Sequence, residues 1–187
     1  MASLFMHLYV GHAIARQRGD ITDIPQYYLG CFYPDCVNAF GFAPREVRYP
    51  AHLRAADIDE WVANCHIFFS KNIRTLNMDF LLGYMIHNIT DAMYDRHFNH
   101  IDRAEWGAFN FAQSHEPWWT HEVLPELKNA QPISVNGVDL TYVTEYLKNA
   151  INPSPPALPP REANLAIMDK LTAYVQEHIK GLTSCTK

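Results

Sequence analysis

The sequence predicts an all-α, single-domain bundle of several helices, with a central buried helix and at most one small β-hairpin. Three observations carry that prediction. Apolar residues recur at helical spacing along almost all of the 187 residues. One segment, residues 79–96, is apolar nearly all round, as a central helix is. The one strong hairpin signal is the pair Asn136-Gly137. The length suits one domain covering residues 1–187. A chain of this size buries roughly 70% of its unfolded surface on folding, so it needs no disulfide framework.

The elements follow in order. Leu4, Leu8, Val10, Ile14 and Ala15 make residues 3–17 a first helix. Residues 23–53 hold Pro25, Pro34, Pro44 and Pro50 with Gly30 and Gly41. This predicts an ordered loop with at most a short helix near Pro25–Leu29. A long irregular stretch inside a compact domain is usually functional. Residues 56–72 read as a second helix with Ile58, Trp61, Val62, Cys65, Ile67 and Phe68 on its apolar side and Asp57 as its cap. The central helix follows at 79–96. Residues 101–113 and 118–129 form further helices, broken at Pro117. Residues 132–140 form the small hairpin, leading into a helix at 140–150. Five prolines in residues 152–160 make an extended linker. Pro160 then opens a final amphipathic helix, 161–180, closed by Gly181.

Composition excludes several classes. Lys and Arg total 15 against 20 Asp and Glu, with no basic block, so the chain is not built to bind duplex nucleic acid. Charged residues are only 19% and aromatics 13%, which is not the composition of a disordered chain. No 18-residue apolar run predicts a transmembrane segment. The opening Met1–His7 lacks a basic region, and His7, His12, Arg16 and Arg18 interrupt any apolar one, so no secretory signal is expected. Cys31 and Cys36 are separated by four residues, and Cys65 and Cys185 stand alone. With no C-x-x-C unit, they read as buried or free thiols in a reducing compartment, here the cytoplasm.

The chain has ten histidines, six of them between residues 66 and 121. Scattered imidazoles point to metal chemistry, because histidine is the commonest metal ligand. His87 and Asp91 lie at i and i+4 on the central helix and project from one face. Such a pair is preorganised for a divalent ion, although taken alone it reads more readily as a hydrogen-bonded structural pair. Its setting favours the ion, since both polar groups sit on a helix otherwise built for burial. Asp35 after Pro34, His52 in Ala51-His-Leu and His7 in the first helix each have an ordinary reading alone: turn aspartate, surface histidine, helix histidine.

Together, Met6-His7-Leu-Tyr, Leu29-Gly-x-x-x-Pro34-Asp35, Ala51-His52-Leu and Gly83-Tyr-x-x-His87-x-x-x-Asp91 resemble the zinc-dependent phospholipase C family, within the trinuclear zinc phosphodiesterases that include the fungal single-strand nucleases. The resemblance covers residues 1–98. It implies a metal site from Asp35, His52, His87 and Asp91, with Asp91 bridging to a second metal shared with His7. Asp35 would also position the attacking hydroxide, which makes it the catalytic residue. Zinc, two or three ions, is the implied cofactor, and other divalent metals suit the same ligands. Two ions about 3.5–4 Å apart clamp a phosphate and activate water.

The pattern departs from the family at two places. The family's ligating amino terminus would here be Ala2 after loss of Met1. Its further H-x-x-x-E cluster is missing among His97, His100, His115 and His121, which leaves His97 as the expected extra ligand. His12 competes with His7, while His66 and His178 read as structural or surface residues. Trp106, Phe109, Phe111, Trp118 and Trp119 read as core, or as the wall of a substrate cleft if the tryptophan pair is exposed. His115-Glu and His121-Glu do not continue to H-E-x-x-H, and no nucleophile elbow, P-loop or G-x-G-x-x-G occurs. The implied activity is hydrolysis of a phosphoester, such as a lipid head group or small phosphorylated molecule. The competing reading is a non-catalytic helical metal-binding module.

Overall fold

The computed structural model describes residues 3–101, 103–156 and 162–182. The fold is all-α, as the periodicity predicts. Helix α1 spans Leu4–Ala15, α2 Ile24–Gly30, α3 Arg45–Ala51, α4 Ile58–Asn72 and α5 Met78–His97. Then come α6 (Arg103–Gln113), α7 (Leu124–Leu127), α8 (Leu140–Ala150) and α9 (Glu162–Ile179). A 3₁₀ turn covers Tyr33–Asn38, and a π-helical turn covers Trp118–Val123 just after Pro117.

Helix α5 is the axis of the bundle. Every residue from Asp79 to Tyr94 is buried, because α1, α2, α4 and α9 all pack around it. Its polar residues are therefore inside and need partners. Asn77 caps it through Phe80 N at 3.0 Å, and Asp57 caps α4 through Glu60 N at 2.9 Å, as its position in the sequence predicts.

The stretch 23–53 holds the short helix expected near Pro25–Leu29 but is more helical than a loop beyond it. It folds as α2, the 3₁₀ turn and α3. Three of the four prolines stand at helix starts, and Pro50 lies inside the last turn of α3. Pro25 and Pro34 lie in first turns, where the missing N–H has no acceptor to lose, and Pro44 directly precedes α3. Helices α2 and α5 begin side by side. Asp79 Oδ2 accepts from Thr22 N (3.0 Å) and Asp23 N (2.6 Å), and Asn77 donates to Asp23 at 2.8 Å.

The expected hairpin reduces to one antiparallel bridge, Val135 to Val138, with Asn136 (φ 52°) and Gly137 (φ 78°) at its tip. Two positive φ values are the type I′ signature. The Tyr33 hydroxyl pins this tip by donating to Val138 O at 2.7 Å and accepting from Val135 N at 3.1 Å. The helix expected over 118–129 ends earlier, at Leu127. Trp106, Phe109 and Trp119 are buried in the core, Phe111 and Trp118 are half-buried, and Trp106 also lines the cleft that reaches Asp35. Of the proline-rich linker, residues 157–160 lie outside the described residues, as do Ala2 and Cys185. Among the described residues, no helix is long and apolar enough to cross a membrane. Cys31, Cys36 and Cys65 are buried free thiols.

Candidate metal centre

Three elements converge on α5, and the four together bring five of the six expected site residues into one cluster. His7 comes from the second turn of α1, Asp35 from the 3₁₀ turn, His52 from the end of α3, and His87 and Asp91 from α5. All five are buried.

The distances define one cluster. His52 Nε2 is 3.2 Å from Asp35 Oδ1 and 3.7 Å from Asp91 Oδ2. His87 Nε2 is 3.9 Å from Asp91 Oδ2, and His7 Nε2 is 3.5 Å from Asp91 Oδ1 and 3.9 Å from Asp35 Oδ2. The His7 and His87 rings stack at 3.6 Å with 19° between planes. Asp91 is two-faced, with Oδ1 toward His7 and Oδ2 toward His52 and His87. That is the placement a bridging carboxylate requires.

Two ligand triads emerge, His7–His87–Asp91 and Asp35–His52–His87. Both use His87. One imidazole nitrogen binds one ion, so filling both positions requires Asp91 to serve the ion that His87 does not.

Main-chain carbonyls set the imidazole tautomers. His87 Nδ1 donates to Cys31 O at 3.0 Å and His52 Nδ1 to Arg48 O at 2.8 Å, which aims each Nε2 at the centre of the cluster. This is the outer support that metal-ligating histidines use. The backbone beneath His52 is fixed as well. Its carbonyl accepts from Trp61 Nε1 at 2.7 Å, and the next residue, Leu53, takes a left-handed φ of 51°. A bulky residue seldom adopts this conformation.

The electrostatics fit a cation. Burial would raise the Asp35 carboxyl, but the His52 hydrogen bond and the charges of His87, His52 and His7 hold it well below the usual carboxylate range. Burial would lower His52, but its bond to Asp35 and the charges of Asp35 and Asp91 raise it above its ordinary value. Burial, reinforced by His7, pulls His87 down to about 3 against the two carboxylates. His52 can donate to both Arg48 O and Asp35 only as an imidazolium, so its Nε2 proton sits where a metal would. The buried His87 Nε2 has no hydrogen-bond partner, which presents a bare lone pair beside a carboxylate. Three imidazoles and two carboxylates form a donor set suited to zinc and similar divalent ions.

Comparison of the chain with models of known families, with curated proteins and with solved structures finds no match.

His97 corrects the sequence expectation. It is exposed, stacked on Tyr174 at 4.4 Å, and outside the cluster. Six residues beyond Asp91 is about 240° round the helix, so α5 turns it away. His100, His115 and His121 are also exposed. His12, five residues past His7, points about 140° away from it. It meets Tyr28 Oη at 3.0 Å and Glu122 Oε2 at 3.7 Å instead.

Sequence reasoning missed Tyr146. From α8, its hydroxyl donates to Asp35 Oδ2 at 3.2 Å. Asp35 and Tyr146 also line a cleft of about 690 Å³, together with Met6, Phe42, Asn110 and Asn149. Asp35 is thus the candidate ligand that touches both the cluster and the cleft.

Proposed function

We propose that the chain is a metal-dependent hydrolase of phosphoester bonds, zinc-loaded and of the phospholipase C type its motifs resemble. One observation carries this reading. A buried cluster of three histidines and two aspartates opens, at Asp35, onto a cleft large enough for a small phosphoester. When bound, divalent ions supply Lewis acidity toward phosphate and a water acidified to near neutral pH.

The chain's own residues do the rest. His7, His52, His87 and Asp91 hold the ions, and the carbonyls of Cys31 and Arg48 keep the imidazoles aimed. Asp35, steadied by Tyr146, orients the attacking water at the cleft floor. Asn38, Asn110 and Asn149 offer amides to the substrate, and no lysine or arginine lines this cleft among the described residues. Positive charge for the phosphate then has to come from bound metal. The buried free thiols of Cys31, Cys36 and Cys65 support a reducing, cytoplasmic setting.

A second reading is favoured by the burial of His7, His87 and Asp91, each 0% exposed. A site so enclosed suits a structural ion in a non-catalytic module. One experiment separates the two. Untagged protein purified without chelator is assayed for elemental metal content and for hydrolysis of bis(4-nitrophenyl) phosphate, beside Asp35→Asn. Two or more ions, with turnover abolished in the variant, support the hydrolase. A single retained ion without turnover supports the structural reading.

A further inference from the structure

Among the described residues, His12 is the one buried histidine outside the cluster. It sits on α1 and is 8% exposed. Trp118 of the π-helical turn stacks on its ring, with centroids 5.3 Å apart and 28° between planes. From α2, the buried Tyr28 places its hydroxyl 3.0 Å from Nδ1. In the tautomer whose Nδ1 donates to that hydroxyl, Nε2 is a bare lone pair. This nitrogen is buried and has no hydrogen-bond partner among the described residues. A buried polar atom left this way is costly and calls for an explanation.

Glu122 faces that nitrogen. Its Oε2 lies 3.7 Å from His12 Nε2, too far for a hydrogen bond. The separation suits an ion between the two. Imidazole nitrogen and carboxylate oxygen each bind zinc at about 2.0–2.2 Å, so two such ligands stand about 3.4 Å apart at a tetrahedral angle and about 4.2 Å apart when collinear. The Glu122 side chain is 52% exposed against 10% for His12, so one end of the pair opens to solvent. Turns of π-helix recur at functional sites, and this one delivers both Glu122 and Trp118. The charges agree. Burial lowers the His12 pKa, Glu122 opposes it and Arg16 adds to it; the net shift is downward, which keeps the imidazole neutral, as a ligand has to be. Arg16 is the nearby cation, exposed one turn along α1. Glu122 and Glu126, whose charges both act on the Tyr28 hydroxyl, outnumber it.

We infer that His12 and Glu122 form a second binding site, for a divalent transition ion of the zinc, nickel or copper kind, with water at the open positions and Tyr28 orienting the imidazole. The bound ion ties α1 to the π-helical turn. None of the five clustered residues takes part, because His12 faces away from His7 round α1. With two protein ligands the site binds more weakly than the buried cluster and fills after it. The inference does not depend on the phosphoester reading of the cluster.

The test is equilibrium dialysis of chelator-stripped protein against rising zinc, with bound ion counted per chain. Wild type, His12→Asn, Glu122→Gln, Tyr28→Phe and His87→Ala are compared. Asparagine keeps a polar atom near the Nδ1 position and removes Nε2. Glu122 is exposed enough for glutamine to leave the fold intact, and metal-free thermal melts check every variant. At high zinc, wild type should hold one ion more than His12→Asn or Glu122→Gln, while both variants fill the cluster as wild type does. Tyr28→Phe should weaken this last uptake step about tenfold or more, as loss of an outer support does. His87→Ala should lose ions from the cluster and keep the last step. An equal zinc count in wild type, His12→Asn and Glu122→Gln overturns the inference. In that case any zinc beyond the cluster is adventitious, and a lower metal-free melting temperature in Glu122→Gln makes the pair an ordinary ion contact. A last step that disappears in His87→Ala but survives in Glu122→Gln also overturns it, because the ion then belongs to the cluster.

Discussion

Gly30 and Gly83 meet backbone to backbone where α2 crosses α5. A Cβ on Gly30 would stand 2.2 Å from Phe80 O, and one on Gly83 would stand 2.1 Å from Tyr27 O and 2.9 Å from Cys31 N. Neither space can be recovered by moving a flexible side chain. The contact positions the candidate metal centre. One residue past Gly30, the Cys31 carbonyl reaches His87 Nδ1, and the 3₁₀ turn that follows delivers Asp35.

Gly83→Ala should therefore be destabilising out of proportion to one methyl group. Forcing two helix backbones apart costs about 3 kcal/mol or more. The melting temperature should drop by roughly 6–12 °C. Metal uptake should weaken as well, because Cys31 O withdraws from His87. Calorimetry with a zinc titration checks both. A melt within a degree of wild type would mean the helices can separate freely.

How much of this was legible in the sequence depends on which group does the work. His87 and Asp91 share a helix face, and an i, i+4 pair on an apolar helix is visible in one dimension. His7, Asp35 and His52 were found through short motifs around them. The supports were not visible. Cys31 and Arg48 act through main-chain carbonyls, which any residue type offers. Tyr146 lies 111 positions from Asp35 and carries no local motif. The prolines of residues 23–53 misled because a proline in a first turn and a proline that ends a helix look alike without register. His97 misled because a distance along the chain was read without the 3.6-residue turn that rotates it outward.

Removing metal should cost stability. Zinc at a thousandfold excess over its dissociation constant contributes about 4 kcal/mol. The melting temperature should then fall by roughly 8–16 °C on chelation. His87→Ala removes the ligand common to both triads and should abolish that difference. His97→Ala should leave it intact. Equal loss in the two variants would return His97 to the ligand set.

The metal-free protein should be most stable near pH 6.5. His87 is held down to about 3 against an ordinary 6.5, so below 6.5 the unfolded chain takes up a proton the folded chain refuses. Its contribution is complete above 6.5 and is lost as pH falls toward 3. Asp35, held below 3.8, adds a further loss at the acid end. His52 is raised, so its contribution is complete below 6.5 and is lost as pH climbs through its folded value. Melting temperature against pH should show two limbs. His87→Asn should flatten the acid limb and His52→Asn the alkaline one. Unchanged limbs in both variants would place the linkage elsewhere.

Tyr146→Phe separates holding a metal from orienting water. The substitution removes the hydroxyl bond to Asp35 Oδ2 and keeps the ring, which lies nearly parallel to Phe32 with centroids 6.2 Å apart. A hydrogen bond to a charged carboxylate is worth about 1.5–3 kcal/mol. If Tyr146 fixes Asp35 for water orientation, kcat for bis(4-nitrophenyl) phosphate should fall about tenfold or more, since 1.4 kcal/mol of barrier is tenfold in rate. Metal content and KM should stay at the wild-type level. Loss of metal with kcat per bound ion unchanged would make Tyr146 a support of the ligand alone. An unchanged kcat with full metal would remove Asp35 orientation from the mechanism.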